Sequence, residues 1–280
     1  MIAGEAIVAA GTVSGRAKPD HRSELTTQWV CGERLSAVET EGDWCRVRGP
    51  DGYESWAHRG GLLRCDAGEA GRWVEAATAR SLGAGLEVVA DANGPAGFAP
   101  PRLPWGSRVV PGEGIVALPG GIRARVAAGD VVTAAERASR FPPDGQAVAT
   151  TALSWLGAPY LWGGRTMAGV DCSGFVQAVL GMHGCSMPRD SALQEQRGPP
   201  CAGPGAGLPE LAAGDLLFYA PDGDVISHVA LSLGGTGVVH ASATRGCVSV
   251  EDLVADEPLA RRLLETFAGA TRPLADARSG

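Results

Sequence analysis

The sequence predicts a multidomain chain in which two small β barrels precede a mixed α+β domain. At 280 residues the chain is longer than one typical domain. Its first half is divided by Gly- and Pro-containing turns into short apolar runs, whereas helical spacing followed by further short strands begins near residue 141. Helices followed by antiparallel strands are typical of an α+β domain. We therefore predict domains over residues 1–66, 67–140 and 141–280.

The first barrel is indicated by apolar runs at residues 5–13, 27–38 and 44–47. A Gly-Pro-Asp-Gly turn at residues 49–52 follows, and residues 53–63 close the unit. Because no helical period interrupts these runs, a small all-β barrel is the expected fold.

A second and weaker β pattern follows the first barrel. The strands that we predict there are residues 86–90, 106–110, 114–118 and 131–134. A second barrel of the same kind is the interpretation that their position in the chain favours.

The third domain begins with two predicted helices, residues 144–156 and 172–182. Apolar side chains recur at helical spacing in the second helix, and Gly184 provides a stop signal. The strands predicted after it are residues 215–219, 228–233, 237–243 and 247–250.

The composition and the apolar pattern of the chain argue against some classes of binding partner and of cellular location. An apolar fraction of 45% is enough for buried cores, and a net charge of −7 argues against nucleic acid or an anionic membrane as the main partner. No basic segment followed by an apolar one opens the sequence, and no apolar stretch approaches the ~20 residues of a membrane span. We expect no membrane association and a cytoplasmic location.

Cys172 has the surroundings of a nucleophile. Asp171 is a good N-cap residue, so Cys172 falls in the first turn of a helix, where unpaired N–H groups and the helix dipole favour a thiolate. His228 and His240 follow on predicted strands, where one imidazole can act as base and the other can orient it. A single Cys or His is more often structural, but this combination favours a cysteine hydrolase.

The motifs around these residues resemble those of the NlpC-type cysteine peptidases, whose catalytic domain is papain-like. The matching residues are Tyr160, Trp162, Gly163 and Gly164; Asp171 to Gly174; Ser227, His228 and Val229; and His240, Ala241 and Ser242. The resemblance implies that Cys172 is the nucleophile, His228 the base and His240 the orienting residue. It also implies that Tyr160, Trp162, Asp171 and Ser173 lie at the substrate site.

The first barrel resembles the bacterial SH3-like fold through residues 41–44 and 51–56, although Ser55 stands where family members usually have Gly. Two such modules before this catalytic domain resemble the γ-D-glutamyl-L-diamino acid endopeptidases of murein-peptide recycling. The resemblance implies murein stem peptides with a free N-terminal L-Ala as substrates. Glu24 and Tyr53 would meet the substrate amine, and Asp190 and Ser191 would face the substrate.

Structural or solvent-exposed roles stay open as alternatives for these substrate residues. Tyr53 could be barrel core, Glu24 a solvated charge, and Asp190 with Ser191 a helix N-cap. Two other functions also stay open, namely a murein-binding protein with little catalysis and an acyltransferase or amidase on the same fold. The seven cysteines include no CxxC pair, so we expect no metal and no cofactor.

Overall fold

A computed structural model of the chain describes residues 4–90, 100–203 and 211–277. Contacts divide the chain into two compact units, residues 1–136 and 137–280. The predicted division into three domains stays a prediction. Among the helices in the described ranges, none is long and apolar enough to cross a membrane.

The first unit begins with an antiparallel sheet of seven strands. They are β1 (Gly4–Val8), β2 (Thr12–Arg16), β3 (Leu25–Val30), β4 (Arg34–Glu41), β5 (Trp44–Arg48), β6 (Glu54–His58) and β7 (Leu62–Cys65). Their order across the sheet is β3-β2-β6-β5-β4-β1-β7. Alternate residues of these strands point inward and form a core that includes Val8, Trp29, Leu35 and Val47.

A turn divides one of the apolar runs that the sequence suggested. The run over residues 27–38 becomes β3 and β4 because Gly32 adopts a positive φ of 80° between them. A Cβ atom on Gly32 would lie 2.3 Å from the carbonyl oxygen of Arg108, so the chain can turn there only without a side chain. Ser55 replaces the usual Gly and is satisfied, since its hydroxyl donates to the Arg16 carbonyl at 2.8 Å.

A second antiparallel sheet of seven strands completes the first unit. Its strands are β8 (Ala79–Ser81), β9 (Leu86–Ala90), β10 (Arg102–Leu103), β11 (Arg108–Pro111), β12 (Ile115–Leu118), β13 (Ile122–Ala128) and β14 (Val131–Val132). Their order, β10-β9-β13-β12-β11-β8-β14, repeats that of the first sheet strand for strand. The helices α1 (Ala67–Ala76) and α2 (Ala134–Arg140) flank this sheet along the chain, and neither was predicted.

The two sheets of the first unit share a core residue. Cys31, which follows β3, is fully buried among residues of the second sheet such as Val109 and Leu118. The carbonyl oxygen of Cys31 accepts a hydrogen bond from the Arg108 backbone at 2.8 Å. The Trp73 indole in α1 donates to the Gly32 carbonyl at the same distance, 2.8 Å.

The second unit has an α+β composition. Its helices are α3 (Gly145–Leu153), α4 (Cys172–Met182), α5 (Ser191–Gln194), α6 (Pro258–Glu265) and α7 (Leu274–Ala277). Its strands are β15 (Arg165–Thr166), β16 (Gly169–Val170), β17 (Pro200–Ala202), β18 (Leu216–Tyr219), β19 (His228–Gly234), β20 (Gly237–Ser242), β21 (Cys247–Asp252) and β22 (Phe267–Thr271).

The main sheet of this unit has the order β17-β22-β18-β19-β20-β21, and α4 packs against β19 and β20. Nearly every residue of α4 is buried, so this helix is the centre of the unit. The predicted helix over residues 172–182 is confirmed, and so are the four strands predicted after it. β22, which lies between β17 and β18, was not predicted.

Candidate active site

Cys172 is the first residue of α4 and only 6% exposed. The preceding residue, Asp171, has extended backbone angles and caps the helix, because its Oδ1 accepts from the Gly174 N–H at 2.7 Å. This confirms the predicted N-cap. The cap leaves the thiol in the first helical turn, beside backbone N–H groups that have no partner within the helix.

Three glycines allow the first turn of α4 to approach the loop that precedes it. A Cβ atom on Gly174 would lie 2.2 Å from the Gly164 carbonyl oxygen, and one on Gly164 would lie 2.4 Å from that of Gly169. Gly163 adopts a φ of 76° and donates its N–H to Asp171 Oδ2 at 2.8 Å. The Gly-Gly and Cys-Ser-Gly sequences are therefore requirements of packing at the nucleophile.

Asp171 is also one half of a buried ion pair that was not predicted. Arg189, 2% exposed, donates from Nη1 to Asp171 Oδ1 at 3.0 Å and from Nη2 to Oδ2 at 2.5 Å. The same Nη1 donates to Ser173 Oγ at 2.7 Å. The side chains of Asp171 and Ser173 are thus bonded to Arg189, and their substrate contacts stay a prediction. A bidentate arginine is the group that best fixes a buried carboxylate.

The thiol lies against the beginning of β19. Cys172 Sγ is 4.0 Å from the Ser227 carbonyl oxygen and also contacts the Val229 backbone N–H. These two residues flank His228 in the chain. His228 Nε2 in turn lies 2.7 Å from His240 Nδ1 on the neighbouring strand β20. The structure therefore brings the three predicted catalytic residues into one neighbourhood, with the thiol against the backbone on both sides of His228 and with His228 bonded to His240.

Burial governs the charge state of this group. It raises the pKa of the Cys172 thiol to about 12, with the Asp171 carboxylate adding in the same direction. Burial, together with the neighbouring His240, lowers the pKa of His228 to about 3. Burial therefore acts in the opposite direction to the helix terminus, which we expected to favour a thiolate.

Glu251 is a further charged residue that the sequence reading missed. Its Oε1 lies 3.9 Å from His240 Nε2, and both side chains are buried. His240 and Ser249 are paired in the β20–β21 register, which puts Glu251 two residues further along β21. The strand predicted over residues 247–250 ended one residue too early to suggest this neighbour.

The other predicted substrate residues of the second unit lie at different depths. Tyr160 is half-buried, and burial together with the nearby Cys172 raises the pKa of its hydroxyl to about 12. Trp162 is 57% exposed. Asp190 is exposed at the N-cap position of α5 but its side chain makes no capping hydrogen bond, whereas Ser191 is buried. The role of each in binding substrate stays a prediction.

Glu24 and Tyr53 belong to the first unit. Glu24 is exposed immediately before β3, and Tyr53 is partly buried immediately before β6. The Tyr53 N–H donates to Asp51 Oδ1 at 3.1 Å, which shapes the turn that precedes β6. Their predicted contact with a substrate amine stays a prediction.

A metal site is also absent from the part of the chain that the structure describes, where no three His, Cys, Asp or Glu side chains are grouped as ligands. The expectation of a reaction without metal or cofactor stays a prediction. The chemistry that the described groups can perform is nucleophilic, with a thiol, a neighbouring base and an orienting imidazole.

Comparison with known proteins gives family matches to both halves of the chain. The family model described as NlpC/P60 family matches residues 157–264, and that described as bacterial SH3 domain matches residues 16–62. The NlpC/P60 match includes Tyr160, Cys172, His228 and His240.

Two similar curated proteins carry the name gamma-D-glutamyl-L-lysine dipeptidyl-peptidase. One, from Bacillus subtilis, is 39% identical over 102 residues, which is 36% of this chain and 33% of that protein. The other, from Bacillus cereus, is 28% identical over 273 residues, which is 90% of this chain and 76% of that protein. The match thus spans only a third of one relative and three quarters of the other.

A solved structure supports the fold over nearly the whole chain. The crystal structure of an NlpC/P60 family protein from Bacillus cereus covers 96% of this chain and 99% of its own, with a TM-score of 0.79 and 21% identity. At this level of identity the likeness concerns the fold alone.

Proposed function

We propose that the chain is a cysteine peptidase of the NlpC/P60 family, whose model matches residues 157–264, and that it hydrolyses the γ-D-glutamyl–L-diamino acid bond of cell-wall stem peptides. The observation that carries the proposal is the contact of Cys172 Sγ with the residues on both sides of His228, whose Nε2 is bonded to His240. We infer the identity of the cleaved bond from the names of the two Bacillus relatives.

The reaction we propose begins with a neutral pair. Cys172 gives its thiol proton to Nδ1 of His228 as the sulfur attacks the γ-carbonyl carbon of the D-glutamyl residue, and the carbonyl oxygen becomes an oxyanion. The protonated His228 then gives this proton to the departing amine of the diamino acid, which leaves a thioester on Cys172. Water, deprotonated by His228, cleaves the thioester and restores the thiol.

The oxyanion needs hydrogen-bond donors that are fixed before the reaction begins. The backbone N–H of Cys172, at the start of α4, is one donor that we propose for it. The hydroxyl of Tyr160 is the second donor that we propose, because Tyr160 pairs with Val170, two residues before Cys172. Burial raises the pKa of this hydroxyl to about 12, so it keeps its proton at neutral pH and can donate.

We further propose that the substrates are soluble stem peptides with a free N-terminal L-Ala, and that the enzyme works in the cytoplasm in murein-peptide recycling. A carboxylate that meets the substrate ammonium would favour such peptides over blocked ones. Rates on free and N-acetylated L-Ala-γ-D-Glu-diaminopimelate test this selectivity, and equal rates would contradict it. Release of peptide from intact murein at a comparable rate would contradict the recycling role.

The second sheet of the first unit is, in this proposal, a second SH3-like domain. Its support is the strand order, which repeats that of the first sheet at all seven positions. Only the first sheet is matched by the bacterial SH3 family model. A role for the second sheet in binding murein is one alternative that purified murein can test, by sedimentation with the Cys172→Ala protein.

The deciding experiment is incubation of the protein and its Cys172→Ala variant with L-Ala-γ-D-Glu-meso-diaminopimelate and its L-lysine counterpart, with products identified by mass spectrometry. Release of L-Ala-D-Glu and the free diamino acid by the unmodified protein alone is the expected result. A new ester or amide product would instead indicate an acyltransferase. No reaction with either peptide, together with sedimentation on murein, would favour the binding protein.

A further inference from the structure

A carboxylate lies behind the two histidines of the proposed catalytic group. Glu251 Oε1 is 3.9 Å from His240 Nε2, and the side chains are only 5% and 2% exposed. Within the described ranges, His240 Nε2 has no hydrogen-bond partner. A buried ring nitrogen without a partner is costly, so the facing carboxylate is the group that can stabilise a proton there.

The carboxylate of Glu251 is fixed by its other neighbours. Arg245 donates from Nε to Oε1 at 3.0 Å and from Nη2 to Oε2 at 2.8 Å. The Ser249 hydroxyl donates to Oε1 at 3.0 Å. His240 and Arg245 together lower the pKa of Glu251 to about 2, so this group is ionised throughout the neutral range.

We propose that Glu251 is a positioning residue of the peptidase, which holds the proton of His240 on Nε2 and thereby sets the hydrogen-bond direction between the two histidines. This inference rests on the proposed function, because it assigns Glu251 to the same reaction. Glu251 touches no reacting atom in it and acts only through His240.

The direction follows from the chemistry of neutral imidazole, in which one nitrogen donates and the other accepts. A proton on His240 Nε2, facing the carboxylate, leaves Nδ1 as an acceptor. The bond of 2.7 Å between the rings must then be donated by His228 Nε2. His228 Nδ1 is consequently left with a lone pair, which is the state required to take the Cys172 proton.

The opposite tautomer would disable the base. If His240 carried its proton on Nδ1, it would donate to His228 Nε2, and the proton of neutral His228 would lie on Nδ1. That nitrogen could then accept nothing from the thiol. A carboxylate beside His240 Nε2 opposes this arrangement, because it would face a lone pair instead of an N–H group.

A second carboxylate on the same arginine supplies the matched control. Glu257 accepts from Arg245 Nη2 at 2.7 Å, and its side chain is 55% exposed, whereas that of Glu251 is buried. If Glu251 served only to anchor Arg245, then Glu251→Gln and Glu257→Gln would affect the protein in similar ways. If Glu251 sets the tautomer, only its own substitution changes His240.

The experiment combines nitrogen-15 NMR of the histidine rings with steady-state kinetics on the stem peptide. In the unmodified protein we expect the His240 signals of a protonated Nε2 and an unprotonated Nδ1, assigned by their loss in His240→Asn. Glu251→Gln removes the bias, since an amide can donate or accept, and should lower kcat about 10- to 100-fold with KM nearly unchanged, the scale known for groups that orient a functional histidine. Glu257→Gln should retain both the signals and kcat.

An unchanged His240 tautomer and an unchanged kcat in Glu251→Gln would overturn the proposal. Glu251→Gln keeps the side-chain volume, and its circular-dichroism melting curve separates a catalytic loss from unfolding. The NMR measurement needs no substrate. If the unmodified protein cleaves no stem peptide, the proposed function fails, whereas the tautomer in the Glu251 variant still decides the role of the carboxylate.

Discussion

Arg189 binds both carboxylate oxygens of Asp171, the residue that immediately precedes the nucleophile in the chain. The same guanidinium bonds to Ser173 on the other side of Cys172. The position of the thiol therefore depends on the charge of Arg189, which lies outside α4 in the sequence. Both members of the pair are buried, so neither charge has water as an alternative partner.

Arg189→Gln is expected to destabilise the protein strongly. Removing one partner of a buried ion pair leaves the other charge uncompensated, which costs about 3–5 kcal/mol of unfolding free energy. Urea unfolding followed by circular dichroism measures the change. Arg261→Gln removes an exposed pair with Asp256 and is the control, which should unfold like the unmodified protein. Equal effects of the two substitutions would contradict the importance of the Arg189 contact.

Gly174→Ala should prevent correct packing of the first turn of α4. The added methyl group would lie 2.2 Å from the Gly164 carbonyl oxygen, and backbone cannot move aside as a side chain can. We expect little soluble protein, or a protein without peptidase activity. Gly181→Ala in the same helix meets no atom within 4 Å and should stabilise the helix by about 0.5–1 kcal/mol. A fully active Gly174→Ala protein would show that the close approach is not needed.

Acidification is expected to destabilise the second unit through His228. The folded-state pKa of about 3 is below the value of about 6.5 in the unfolded chain. The contribution of the neutral ring is therefore complete above about pH 6.5 and is lost as the pH falls towards 3, because only the unfolded state binds the proton readily. His228→Asn should lose less unfolding free energy than the unmodified protein between pH 7 and pH 5.

A second histidine provides an independent measurement of the same effect. His183, whose ring lies 2.7 Å from the Pro142 carbonyl oxygen and 2.9 Å from Thr151 Oγ1, also has a pKa lowered by burial. His183→Asn should reduce the pH dependence in the same direction. If both variants retain the full dependence on pH, buried neutral histidines are not its source.

Ser55→Ala should lower the stability of the first unit by about 1 kcal/mol, the usual net value of a hydrogen bond. The Ser55 hydroxyl bonds to the Arg16 carbonyl at 2.8 Å and lies 2.6 Å from the Thr26 hydroxyl. Thermal unfolding of the full chain measures the loss. An unchanged melting temperature would mean that Arg16 and Thr26 find other partners.

The sequence was most informative where local signals agree with tertiary structure. α4 was predicted to the residue because an N-cap, an apolar helical period and a C-terminal glycine all coincide. α1 was missed although Asp66 and Glu69 form a capping box, a signal that the sequence does contain. β13 was also missed, although apolar and charged residues alternate from Ile122 to Val126.

Other features could not have been predicted from local signals. β22 has the sequence Phe-Ala-Gly-Ala-Thr, which has little strand preference, and it becomes a strand because β17 and β18 pair with it on both sides. Arg189 and Glu251 become neighbours of Asp171 and His240 only through strand register and through contact between distant segments of the chain. The raised pKa of Cys172 likewise reflects burial, which helix position alone does not reveal.

The placement of Cys31 in the core of the second sheet has a consequence for how the first unit can be dissected. A cut between β7 and α1 would expose Cys31 and separate the Trp73 indole from the Gly32 carbonyl that accepts its hydrogen bond. The two sheets should accordingly melt in one calorimetric transition. The repeated strand order then describes two copies of one topology that fold only together. Neither copy could therefore be transferred to another protein as an independent module.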